Sequence, residues 1–354
     1  MEVLREACSL EGELVNGRVD DILAKYEQVP QRELSRVIDS RDFEVRFLKE
    51  RTRVVTLDGI DMRCFDNIRD GKRRDSVFLL IHGLGGSMDQ FQPLMKLLSL
   101  LKYRVIALDL PGFGQSGSST NGYDMLYVTS VVKKVVDNNI ENKTDVDFKV
   151  VGHSMGCYIA SHFVQMYHEE YNIDKLVLTC PPPPSISTLR QDNYIMKMAM
   201  RGLMWAPFIF NIYRVWFDQS KGLNSSGIMN FFSANTETFQ DEETENKNLK
   251  FRKLWQFSNN IKIDTSTIFS YFLGWKFPDW EDLDNIINTN NVELVVIYAE
   301  HDKITPKQDA QLIFDAFKNV AATKKKLLEI TNCGHNIFFN CPEKACKLFQ
   351  EQVF

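Results

Sequence analysis

The chain has 354 residues, 44% of them hydrophobic, and a formal net charge of −5 with acidic and basic residues interspersed. That length accommodates one large α/β domain with an insertion and a sizeable core, and the charge pattern excludes a basic nucleic-acid-binding surface. Seven cysteines, at positions 8, 64, 157, 180, 333, 341 and 346, lack C-x-x-C or metal-like spacing. Reduced thiols in an intracellular compartment are expected, with neither a metal nor an organic cofactor.

The N-terminal stretch MEVLREACSLEGEL is too acidic and too weakly apolar for a secretory signal or a mitochondrial transit peptide. Residues 1–40 are predicted as a polar helical extension without identifiable chemistry. From Phe43 to Asn67 the stretches FEVRFL, RVVTL and DMRCF read as antiparallel strands, with a hairpin turn at Asp58-Gly59. Beyond them the pattern changes to short continuous apolar runs: VFLLI (77–81), RVIALDL (104–110), FKVVG (148–152), KLVLT (175–179), VELVVIYA (292–299) and KKLLEI (325–330). Amphipathic helix-length segments such as 123–139 and 157–171 lie between most of them. Runs buried on both faces and alternating with helices specify an α/β fold with a mostly parallel sheet.

The alternation breaks after Cys180. Residues 41–180 and 290–354 are therefore expected to form the two parts of the core, and 181–289 a helical cap over one end of the sheet. Within the cap, 240–253 reads as a charged linker. The apolar stretch 194–217 is interrupted by Lys197, Arg201, Arg214 and Pro207, so no transmembrane span is expected there.

In an open parallel sheet, ligands bind beyond the carboxyl ends of the strands, and the reactive residues cluster at those places in the sequence. Gly152-x-Ser154-x-Gly156 follows FKVVG and precedes a helical pattern, the strand–tight turn–helix context of a nucleophile elbow. In IHGLGGS (81–87), Gly83 shapes a turn that aims the Leu84 amide at a developing oxyanion, and the Met155 amide supplies a second donor. DLPGFGQS (109–116) is read as a turn without a catalytic role. Asp302, in a loop after VELVVIYA and just before a helix opening at Thr305-Pro306, is the candidate acid, with Glu300 its main competitor. His335, in the loop after KKLLEI, is the candidate base. Each position alone has an ordinary structural explanation as a cap, turn or solvated loop. Together, the chain order Ser154, Asp302, His335 assigns nucleophile, acid and base.

With these residues in place, the motifs HGLGG, DLPGFGQS, GHSMG, AEHD and CGH resemble the α/β-hydrolase superfamily from about residue 43 to the end. The segments FNIYRVWFDQSKGLNSSGI, FRKLWQFSNNI and YFLGWKFPDW are similar to its lipase- and esterase-like branch of yeast lipid-droplet and peroxisomal serine hydrolases. That resemblance implies a weak lipase or esterase for acylglycerol or phospholipid-like esters, cytoplasmic or on lipid droplets. The C-terminal Glu-Gln-Val-Phe is not an S-K-L-type peroxisomal address, so peroxisomal import is not carried over. Epoxide hydrolases and dehalogenases of this fold place aspartate where Ser154 stands. Acyltransferase-like relatives place aspartate five residues after the histidine, where this chain has Asn340.

The cap's Met204, Trp205, Phe208 and Trp216 are the candidate lining of an acyl pocket for a small lipophilic ester. Its outer face is a candidate for contact with a lipid surface. Two other readings remain at this point: an acyltransferase using the same triad, and a non-catalytic lipid-binding protein of this fold.

Overall fold

The computed structural model describes residues 1–68, 76–140, 143–189, 193–233 and 242–354. Its described strands are β1 (Thr52–Leu57), β2 (Ile60–Asp66), β3 (Ser76–Ile81), β4 (Arg104–Leu108), β5 (Asp147–His153), β6 (Ile173–Thr179), β7 (Glu293–Ala299) and β8 (Lys325–Ile330). They form one sheet in the order β1-β2-β4-β3-β5-β6-β7-β8. β2 pairs antiparallel with β1 and β4, and every other pairing is parallel. The β1–β2 turn uses Asp58 and Gly59 at φ 53° and 78°, the left-handed pair that a type I′ hairpin turn requires.

Alternation along each strand divides the core into two layers. Phe78, Leu80, Val151, Val177 and Val295 face one side, where the helices Gln92–Leu100 and Pro342–Gln352 pack. Leu79, Ile81, Val150, Leu176 and Val296 face the other, against Met125–Asn139 and Gly156–Tyr167. Each fully buried aliphatic side chain contributes about 1.5–3 kcal/mol, so strands buried on both faces anchor the site loops at their carboxyl ends.

Three local expectations are corrected. FEVRFL is not a strand: a 3₁₀ turn (Ser40–Phe43) and a helix (Arg46–Arg51) occupy it. Phe43, at the end of the 3₁₀ turn, and Phe47, in the helix, both reach the core, against Phe251 and Phe65 respectively. The predicted linker is mostly helix, Glu242–Asn260, with Gln240 and Asp241 outside the described residues. Its charged residues conceal an inward stripe of Leu249, Arg252, Trp255 and Gln256 at helical spacing. The N-terminal helices Glu2–Cys8 and Val19–Glu27 carry chain-buried residues, Leu4, Cys8, Ile22 and Tyr26, that join the core cluster of Leu94, Cys346 and Phe349. Arg252 reaches them, donating from Nη2 to the Cys8 carbonyl at 2.8 Å. Between β6 and β7, the helix Trp280–Thr289 packs beside the sheet through Leu283 and Ile287.

Candidate active site

β5 delivers the chain to Ser154 at φ 54°, and the helix Gly156–Tyr167 starts two residues later. A left-handed non-glycine residue costs about 1–2 kcal/mol, so packing has to hold the elbow. The Ser154 N–H donates to the Thr179 carbonyl at the end of β6, at 3.0 Å. A Cβ on Gly152 would meet the Gly156 carbonyl oxygen and Cys157 Cα at 2.5 and 2.6 Å, and one on Gly156 would strike the Ile81 and His82 carbonyls. The two glycines are thus demanded by backbone crowding. Gly83 lies against the elbow from the other side, where a Cβ would fall 2.8 Å from Ser154 Cβ.

Asp302 and His335 meet. His335 Nδ1 donates to Asp302 Oδ2 at 2.7 Å, with both side chains buried. Asp302 Oδ1 accepts from the Ile304 and Thr305 N–H groups at 2.8 and 2.9 Å. Burial alone pushes this carboxyl up, but the adjacent His335 and the backbone donors pull it below its ordinary value. Glu300, the competing acid, instead accepts from the Asn332 N–H at the surface.

Ser154 and His335 both line one apolar cavity of about 550 Å³. Leu84 and Met155 line it too, and neither backbone N–H is engaged by another described residue. The walls further include Leu189, Phe210, Tyr213, Ile263, Phe272 and Trp275. The expected lining by Met204, Trp205, Phe208 and Trp216 is corrected: none of the four borders this cavity, and the last three are exposed. Helical phase is the reason, since Phe210 turns inward where Phe208 turns outward.

Three contributors escape motif reading. Thr305 Oγ1 sits 2.8 Å from Asp302 Oδ2, 3.0 Å from the Cys180 carbonyl and 3.2 Å from His335 Nδ1; its place three residues after the acid, ahead of a proline, is the available signal. His153 Nε2 donates to the His335 carbonyl at 2.9 Å. Burial and then the neighbouring His335 hold His153 down to about 3, so its ring is neutral. Asn340 Oδ1 accepts from the Gly334 and Ser233 N–H groups at 2.5 and 2.9 Å, bracing the histidine loop. His153, Cys180 and His335 bring potential ligand atoms within 4.8 Å of one another. Their hydrogen bonds to Asp302 and to backbone account for that proximity.

Buried electrostatics hold the neighbouring loops. Asp109 Oδ1 accepts from the Met88 N–H at 2.8 Å, while Oδ2 accepts from the Gln115 N–H at 2.9 Å and from Arg63 Nη1 at 3.1 Å. The DLPGFGQS turn is thereby joined to the HGLGGS turn. His82 accepts from the Leu110 N–H through Nε2, leaving Nδ1 to donate to the Gly83 carbonyl at 2.8 Å.

Residues 76–342 match the family described as alpha/beta hydrolase fold. The chain is 32% identical over 333 residues to Lipid droplet hydrolase 1 of Saccharomyces cerevisiae, covering 88% of this chain and 86% of that protein. It is 24% identical over 282 residues to the AB hydrolase superfamily protein YisY of Bacillus subtilis, covering 79% and 92%. An esterase from Exiguobacterium antarcticum shares the fold, with TM-score 0.59, 19% identity and coverage of 85% and 98%. A putative lipase from Acinetobacter baumannii also superimposes, with TM-score 0.56, 16% identity and coverage of 96% and 97%. The strand–turn–helix geometry at Ser154, the sheet order and the family match agree: this chain belongs to the α/β-hydrolase fold family.

Proposed function

We propose that the chain is a serine esterase or lipase that cleaves carboxylic esters of lipophilic acyl substrates, acylglycerols or phospholipids, through an acyl-enzyme. The observation that carries this reading is the 2.7 Å His335–Asp302 contact beside an apolar cavity that Ser154 also lines. Ser154 Oγ attacks the ester carbonyl, and His335 Nε2, the ring nitrogen not committed to Asp302, takes its proton. Asp302 holds the tautomer and stabilises the imidazolium. The Leu84 and Met155 N–H groups meet the oxyanion. His335 then returns the proton to the departing alcohol, and water activated by the same ring releases the acid and restores Ser154.

The cavity wall supports an acyl chain as the bound group, with residues 181–289 as the cap over a core of 41–180 and 290–354. The name of the yeast relative supports a lipid substrate and an intracellular site at lipid droplets. Labelling by a fluorophosphonate, lost in Ser154→Ala, tests the nucleophile. A series of p-nitrophenyl esters tests the pocket, with faster turnover expected for longer acyl groups than for acetate. Equal rates along the series would remove the acyl pocket, and a folded wild type that resists labelling would remove the hydrolase reading. Ester products formed with added alcohol would reassign the reaction as acyl transfer.

A further inference from the structure

In the helix Tyr194–Trp205, Met196, Met200, Leu203 and Met204 form the inward stripe, at the i, i+4, i+7, i+8 spacing of one helical face. The outward stripe, where a soluble helix places charge, is also apolar: Ile195 is 85% exposed, Met198 72% and Trp205 92%. The helix Pro207–Tyr213 and the π-turn Arg214–Asp218 continue it with Phe208, 61% exposed, then Ile212, Trp216 and Phe217. Single exposed apolar residues are ordinary, but a consecutive run of this size marks an interaction surface.

Two further observations identify the partner. Between positions 194 and 217 the charged residues are Lys197, Arg201 and Arg214, with no Asp or Glu, in a chain whose net charge is −5. A second copy laid face to face would set an exposed cation such as Arg201 against its own copy with no acidic residue to meet it, whereas an anionic headgroup layer complements it. The face is also continuous with the cavity: Tyr213 is exposed and lines the cavity that Ser154 lines. Arg214 fastens this segment to the body, with Nη1 donating to the Ile263 carbonyl and Thr265 Oγ1 at 2.7 and 2.9 Å, and Nη2 to the Asn260 carbonyl at 2.8 Å. No described helix is long and apolar enough to cross a membrane.

We infer that the face formed by residues 194–217 docks onto an anionic phospholipid layer and lays the cavity's cap against the lipid. The inference rests on the proposed lipid-ester hydrolysis for its purpose, but its test is separate. Flotation of the full chain with triolein droplets coated in phosphatidylcholine, with and without phosphatidylserine, reads docking directly. The wild type is expected to float, more strongly with phosphatidylserine. The triple variant W205E/F208E/W216E is expected to lose about tenfold or more of its partitioning, because charge replaces the inserted aromatics. Its kcat/KM for a soluble short-chain ester is expected to stay within about twofold, since none of the three residues lines the cavity. Quenching of tryptophan fluorescence by brominated phospholipid, reduced in Trp205→Phe and lost in the double variant W205F/W216F, reads insertion without relying on the triple variant's folding. Unchanged flotation of a folded triple variant, no quenching, or splitting of a dimer with flotation intact would overturn the inference. A wild type that floats but is inert to fluorophosphonate and esters would uphold docking and sink the hydrolase reading alone.

Discussion

His153 and His335 are joined through the backbone: the Nε2–H of the residue preceding Ser154 donates to the carbonyl of His335 at 2.9 Å, with the ring centroids 4.8 Å apart. The elbow and the histidine loop, 182 positions apart in sequence, are therefore held in register by a neutral ring that takes no part in the proposed proton transfers. His153→Phe keeps a ring but removes the donor and leaves the carbonyl buried without it. A loss of about tenfold in kcat, with KM nearly unchanged, is expected from the cost of one unsatisfied buried group. Steady-state kinetics on a soluble ester, alongside the melting temperature, measures it.

In the proposed cycle the three reacting residues act as a unit. Ser154→Ala and His335→Ala should each remove nearly all turnover, and Asp302→Asn should lower kcat by about 10⁴ because the imidazole loses its tautomer control. Thr305→Val deletes the hydroxyl next to both Asp302 and His335, for which a smaller loss of about three- to tenfold is expected. Fluorophosphonate labelling rates across the four variants order these effects.

Stability should fall with acid, and the sign follows from the buried histidines. The native chain keeps His153 neutral down to about 3, and burial likewise lowers His82 and His162, whereas the unfolded chain protonates near 6.5. Their contribution is fully present above that value and is lost progressively as pH drops from 6.5 toward 3. For His153 alone the loss at pH 5 is about 2 kcal/mol. Asp302, held below its ordinary value, adds a further loss only once the pH enters the range below an ordinary carboxylate. Urea unfolding at pH 7 and pH 5 measures the difference; equal midpoints would contradict it.

Asp109 is the buried hub of the loops behind the site. Asp109→Ala leaves the Arg63 guanidinium with one carboxylate partner fewer, Asp89 remaining at 2.9 Å, and frees the Met88 and Gln115 N–H groups. Breaking a buried pair of this kind costs about 3–5 kcal/mol. Thermal unfolding should register that cost, with activity falling because the HGLGGS turn carries Leu84.

Much of the architecture is readable locally. The run VFLLI occupies β3 within one residue at either end, because a strand buried on both faces leaves little room for polar residues. KKLLEI coincides with β8, an edge strand that is only partly buried and keeps Lys325, Lys326 and Glu329. Ser154 is legible because the glycines flank it in sequence, although only Gly152 is required by neighbouring chain, Gly156 and Cys157, while Gly156 is required by the Ile81 and His82 carbonyls at the end of β3. FEVRFL misleads because a short apolar alternation is compatible with a helix when its partners lie elsewhere, here Phe251 and Phe65.

By itself, then, the sequence determined the succession of strands, the glycine-flanked motif around Ser154, and the chain order of Ser154, Asp302 and His335, all of which are local patterns or positions along the chain. Tertiary structure alone decided which cap side chains face the cavity and which face out. In YIMKMAMRGLMW both helical faces are apolar, so periodicity sets no phase, and only packing against Phe269, Tyr271 and the rest of that core turns Met204 toward the core while Trp205 is left at the surface. The ties through Thr305, His153 and Asn340 were decided there as well, because a hydrogen bond between residues tens or hundreds of positions apart leaves no local pattern to read.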